Sequence, residues 1–140
     1  MFPLLLDRIG ITGAVITADA MHAQRGHATY LAGRGAHYLF TVKRNQPGLF
    51  AQLAALPWRQ VPVAHQSRGR GHGRDERRTL KVTAVAAELA FPHAAQAIQI
   101  VRRRTIWMAC TAWGKARPLA TEVTFRMRRS VRPCPRSRLS

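Results

Sequence analysis

The sequence predicts an α/β protein built on an open sheet with at least one parallel strand pair, and three observations carry that prediction. Ala14, Val15 and Ile16 form an apolar run without alternation that leads into the carboxylate of Asp19, and continuous hydrophobicity marks a strand of the buried, parallel kind. A stretch capable of helix follows over 23–33, and 36–42, AHYLFTV, is rich in aromatic and β-branched residues, which completes a strand, helix, strand unit. A carboxylate where a parallel strand turns toward the next helix stands at the end of the sheet where open α/β folds keep their chemistry.

The elements follow in order. The helix over 23–33 carries Tyr30 and Leu31 inward and stops at Gly33 and Gly35, residues suited to a left-handed cap, although Gly26 weakens it. After the second strand, Asn45 is placed to cap a helix in which Leu49, Phe50, Leu53 and Leu56 share a face and which Pro57 ends. Residues 67–78, SRGRGHGRDERR, are glycine-punctuated and basic, the composition of a surface loop. Over 79–87, Leu80, Val82, Ala84 and Ala86 alternate with Lys81, Thr83 and Val85, the period of a strand with one wet face. A further short strand is expected over 97–101. Beyond Arg104 neither period is sustained, and the prolines and arginines there predict an irregular basic tail over 105–140, disordered or read from a shifted frame.

Charge narrows the partners. Twenty-three lysines and arginines stand against six acids, a net charge of +17 and a pI near 11.9, and such an excess favours a polyanion, nucleic acid first. No apolar run reaches the roughly 18 residues of a membrane span, and MFPLLL is too short, and too soon interrupted by Asp7 and Arg8, for a signal peptide. The chain therefore reads as cytoplasmic, associated with the nucleoid and without a membrane partner. Cys110 and Cys134 lie too far apart for a disulfide framework or a paired metal motif and read as free thiols.

Three blocks, ITADAMHAQ from Ile16, YLAGRGAHYLFTVKRNQPGLF from Tyr30 and RGHGRDERRTLKV from Arg70, resemble the middle of a DDE-type insertion-sequence transposase of the H-repeat-associated group. The resemblance covers about residues 4–104. It implies a ribonuclease H-like domain over 1–104, with a mixed sheet flanked by helices and a β-rich insertion, followed by the divergent tail. It also implies metal-dependent DNA strand cleavage and strand transfer, magnesium as cofactor, and DNA and further copies of the chain as partners. In the family three carboxylates hold two metal ions, and Asp19 matches the second. Two ions are needed because one activates the attacking oxygen while the other stabilises the leaving one. The positions of the first and third carboxylates have no counterpart here, so the resemblance implies a truncated copy lacking catalytic activity.

The candidate residues each admit a plainer role. Asp19 is equally suited to cap a helix start, and His22 to touch phosphate or simply to pack. Lys43 and Arg44 leave the second strand at the same end as Asp19, where they suit a DNA backbone, and Arg68, Arg70, His72, Arg74, Arg77 and Arg78 extend a track for phosphates. Glu76 and Asp75 lie among arginines and read better as exposed ion pairs than as metal ligands. The competing class is a small basic nucleic-acid-binding protein in which Asp19 is only a cap.

Overall fold

Along the second strand burial alternates strictly: Tyr38, Phe40 and Val42 are buried while His37, Leu39 and Thr41 stay partly exposed. That strand lies inside a six-stranded mixed sheet in a computed structural model, which describes residues 2–71, 74–85, 89–106 and 117–129. The element order is α1 (Phe2–Leu6), β1 (Val15–Ala18), a 3₁₀ turn (Ala20–His22), α2 (Arg25–Gly33), β2 (His37–Val42), α3 (Pro47–Ala54), β3 (Val63–Gly71), β4 (Arg74–Ala84), β5 (Gln96–Ile106) and β6 (Arg117–Arg128). Across the sheet the strands run β1-β2-β6-β5-β4-β3. Only β1 and β2 are parallel, and every other neighbouring pair is antiparallel.

The strand, helix, strand expectation is met with small shifts. β1 begins one residue later than the apolar run and ends at Ala18, directly before Asp19. α2 starts at Arg25 rather than Ala23, because the chain first makes the 3₁₀ turn. It ends at Gly33, and Gly35 takes φ +70, the left-handed conformation that glycine adopts without penalty. A side chain at Gly35 would also bring its Cβ to 3.3 Å from Thr12 Cγ2.

Four expectations are corrected. Asn45 does not cap α3: Gln46 is the N-cap residue and Pro47 opens the helix, while the Asn45 amide instead donates to the carbonyl of Ala20 at 3.3 Å. The basic stretch is not a loop over 67–71 and 74–78 but strand, the distal parts of β3 and β4 in their hairpin, although β3 is exposed along its whole length, as a surface segment should be. The strand expected over 79–87 is found as far as Ala84 and begins earlier, at Arg74, with 86–87 outside the described residues, and the one expected over 97–101 is part of a longer strand that extends to Ile106. The irregular tail is corrected over 117–128, where β6 pairs with β2 on one side and β5 on the other. Cys110 and Cys134 lie outside the described residues.

The core sits between the sheet and the helices. Leu31 of α2 and Leu53 of α3 are fully buried against Tyr38, Phe40, Phe125 and Met127. Phe125 of β6 meets Phe50 edge-on at 5.0 Å and stacks with Trp58 at 5.8 Å. Tyr38 stacks on Phe40 at 4.6 Å, and both meet the ring edge of Phe91. Each such pair adds about 0.5–1.5 kcal/mol beyond area burial. Burial raises the Tyr38 phenol far above its ordinary pKa, and its hydroxyl is satisfied by the carbonyl of Pro92 at 2.8 Å. Arg129 secures the end of β6 by donating to the carbonyls of Ala32 and Ala36. These contacts make Phe125 a test of the position of β6. Phe125→Ala is expected to lower unfolding stability by about 3–5 kcal/mol, read from the urea midpoint, and an unshifted midpoint would place β6 outside the core.

Candidate functional site

Parallel pairing of β1 with β2 in the register Ala18↔Phe40 brings the two strand ends together. Asp19 leaves β1 in an extended conformation (φ −74, ψ 171) and caps the 3₁₀ turn, its Oδ1 accepting from the backbone N–H of Ala20 at 2.7 Å. Lys43, the residue after β2, places its Nζ 3.3 Å from the same oxygen. Beyond the Asn45 contact, the Gln46 amide donates to the carbonyl of Ala23 at 2.6 Å. The segment after β2 is thus tied to the segment after β1, and the two strand ends form one surface.

The Asp19 side chain is 66% exposed, and it lines an open cleft of about 380 Å³ with Thr17, Ala18, Leu39, Thr41 and Arg126. Its carboxyl is held below the usual range, first by the Ala20 N–H bond and then by the Lys43 ammonium. Cap and exposed carboxylate are therefore the same side chain in this geometry. His22 is also exposed and stands near Asp19, but its carbonyl is engaged by His27 Nδ1 at 2.9 Å and the two rings lie 5.9 Å apart. Arg44 is exposed beside Lys43.

Arg70, Arg74, Arg77 and Arg78 occupy the opposite end of the sheet, on β3 and β4. With inter-strand steps of about 4.8 Å, four to β4 and five to β3, they stand roughly 19 to 24 Å across the sheet from Asp19. Arg70, Arg74 and Arg78 line an open groove of about 390 Å³ that also includes Arg68 and Glu76. The two acids of the hairpin are consumed by this cluster. Asp75 pairs with Arg68, whose Nε lies 3.0 Å from Oδ1, and with Arg70 at 3.9 Å. Glu76 holds Arg78 at 2.5 Å, Arg102 at 2.6 Å and Arg104 at 3.4 Å. Arg68 beside Asp75 and Arg102 beside Glu76 hold both carboxyls below their ordinary range. Neither acid lies near Asp19, in keeping with the ion-pair reading of both. His72 lies outside the described residues.

Among the described residues no group of three His, Cys, Asp or Glu is placed to share a metal ion, and Asp19 offers a single carboxylate. Magnesium sheds water reluctantly and is held by carboxylates acting together with substrate phosphate, so the described residues do not by themselves fit a resident two-ion centre. Sequence reasoning missed Arg126, Thr17 and Thr41 in the cleft. The period of two in Val123, Phe125 and Met127 was the signal for the strand that carries Arg126, and the surrounding arginines and prolines obscured it.

Fold and site together define an α/β protein with one exposed carboxylate at a parallel strand end and a basic β-arm at the far edge. Searched against protein-family models and solved structures, the chain matches none. It is similar to protein YbfL of Escherichia coli (strain K12), with 38% identity over 92 residues, 62% of this chain and 24% of that protein. The chain thus spans about a quarter of the length of the curated relative it matches. No helix among the described residues is long and apolar enough to cross a membrane.

The electrostatics yield a titration test. Because the Asp19 carboxyl is held below its unfolded value, the folded chain binds that proton more weakly than the unfolded chain. Its contribution to stability is therefore present above the ordinary carboxylate range and is lost as the pH falls through the lowered value. Lys43→Gln is expected to move the Asp19 midpoint, followed by carboxyl carbon NMR, part of the way back up while the Ala20 bond keeps the rest. A full return to the unfolded value would remove the cap from the account.

Proposed function

We infer that these 140 residues carry part of the catalytic domain of a DDE-type insertion-sequence transposase, with a ribonuclease H-like sheet in which β1 bears one of the metal-binding carboxylates. The observation that carries this reading is the position of Asp19: exposed, at the carboxyl end of the parallel pair β1–β2, in an open cleft. The antiparallel strands β3, β4 and β5 suit the β-rich insertion expected of the group, and the blocks that carry the resemblance fall on β1, α2, β2, α3 and the hairpin. Three-quarters of the curated relative lies outside the match, so strand cleavage and transfer are proposed for the parent domain. For this chain the proposal is DNA binding with Asp19 as one ligand of a shared cation.

Two charged surfaces supply the affinity. Lys43 and Arg44, with His22 beside them, flank the cleft, and the hairpin offers Arg70, Arg74, Arg77 and Arg78 to phosphates. Local neutralisation of Asp75 and Glu76 by arginine leaves the hairpin cationic overall. Binding of this kind is sequence-independent and falls steeply with salt, each phosphate contact adding about 0.9 to the slope of log K against log salt. In a fluorescence anisotropy titration of a labelled duplex, the pair Arg74→Gln and Arg77→Gln is expected to reduce that slope by about 1 to 2 and to weaken all sequences alike. An unchanged slope would remove the hairpin from the interface.

A second reading is favoured by the Ala20 N–H and Lys43 contacts of Asp19, which are complete without any metal: a basic DNA-binding protein in which Asp19 is only a cap. Asp19→Asn separates the two. Under the transposase reading it abolishes weak Mn²⁺ binding, seen by paramagnetic relaxation, and leaves duplex affinity intact, whereas metal binding equal to the wild type leaves the cap alone. With one carboxylate at the site, the 140-residue chain is expected not to nick supercoiled DNA in Mg²⁺, and robust Mg²⁺-dependent nicking by nuclease-free protein would overturn that expectation.

A further inference from the structure

We propose that Arg126 is the anchor of a phosphodiester-binding cleft beside Asp19, a site that extends the transposase reading to a residue outside the blocks on which that reading rests. The argument starts from register. In the sheet Arg126 of β6 lies directly opposite Thr41 of β2, and Asp19 follows Ala18, which pairs with Phe40. One step beyond that last pair, Asp19 and Arg126 flank Thr41 from its two sides. Two strand spacings of about 4.8 Å put their backbones roughly 10 Å apart, a gap that side chains span with room for one tetrahedral phosphate.

The chemistry of the cleft matches that group. Arg126 Nε is buried and meets no hydrogen-bond partner, although a buried N–H in a folded chain normally has an acceptor. No ion pair engages Arg126 among the described residues, whereas Asp7, Asp19, Asp75 and Glu76 are each taken by another cation. Because Lys43 already balances Asp19, the local charge is +1 from Arg126, the complement of a phosphodiester monoanion. A guanidinium presents its donors as a planar fork to two non-bridging oxygens. The hydroxyls of Thr17 and Thr41 add donors, and Leu39 and Ala18 give an apolar wall for sugar or base. The predicted ligand is therefore one internucleotide phosphate of a DNA strand passing over the open sheet face.

The test uses the full 140-residue chain in EDTA, so that it does not depend on metal, with the dinucleoside monophosphate thymidylyl-thymidine and inorganic phosphate as separate probes followed by NMR. Arg126→Gln is expected to weaken the dinucleotide at least about tenfold, Arg126→Lys to recover part of the loss, and Arg59→Gln, on a distant exposed loop, to bind like the wild type. In the wild-type chain, where folding is not in question, the ¹⁵Nε resonance of Arg126 should shift on saturation with the dinucleotide. The proposal is overturned if that resonance stays in place, if Arg126→Gln binds as tightly as the wild type, or if inorganic phosphate binds at least as well as the dinucleotide, which marks an adventitious ion only. Failure here with metal binding still lost in Asp19→Asn removes Arg126 and leaves the transposase reading standing. The converse result, an intact dinucleotide site with metal binding indifferent to Asp19→Asn, removes the metal role instead.

Discussion

The parallel register of β1 against β2 is the constraint on which the rest of the molecule depends. It sets two chain reversals side by side, and those reversals are then fastened by side chains, Asn45 to the carbonyl of Ala20 and Gln46 to that of Ala23. Without that fastening Asp19 would be a carboxylate on a turn like any other. With it, the carboxylate has a fixed ammonium neighbour, Thr17 and Thr41 alongside and an open approach. The buried face of the same strands supplies the rigidity, because Tyr38, Phe40 and Val42 alternate with the residues that face the cleft. A shift of one residue would exchange the two sets and expose the aromatic rings, so the packing of the core and the chemistry of the surface are selected by one alignment.

Charge is distributed with equal economy. The acids whose side chains are described all lie against arginine or lysine, and none is left to oppose a polyanion. On the hairpin this has a mechanical side. Glu76 draws guanidinium groups from β4 and β5 toward one point, and Asp75 does the same for β3. Exposed ion pairs of this sort contribute little to stability. They orient, however, and a β-arm whose arginines are already gathered presents them as a set. The cleft and the arm are different devices: one bounds a single phosphate with burial and a donor fork, the other offers diffuse attraction along an edge.

How much of this was legible depended on whether the information was local. β1, α2 and β2 could be read because an unbroken apolar run, a glycine pair and an aromatic, β-branched stretch each specify their own element. The hairpin could not. Serine, arginine and glycine over 67–71 have the composition of a loop, and they are extended because β4 offers a long antiparallel partner and Asp75 reaches across to Arg68. Tertiary pairing overrode propensity there. β6 was obscured for a different reason: Val123, Phe125 and Met127 do keep a period of two, but a proline and arginines around them suggested sequence without a core to join. Asp19 was found because a carboxylate after a strand is conspicuous in so basic a chain. Arg126, one arginine among many, acquires meaning only from the strand beside it.

β1 also has a free side. Among the described residues it is the end strand of the sheet, paired with β2 alone, and Val15 is half exposed on it. On the side away from β2, the backbone N–H and C=O groups of alternate residues meet no strand among the described residues, the condition under which an extended segment can continue a ladder. Most sheet proteins blunt such an edge with charge or a bulge, and VITA has neither. Among the described residues that edge is a place where a further extended segment would extend the sheet with no rearrangement of the strands already paired.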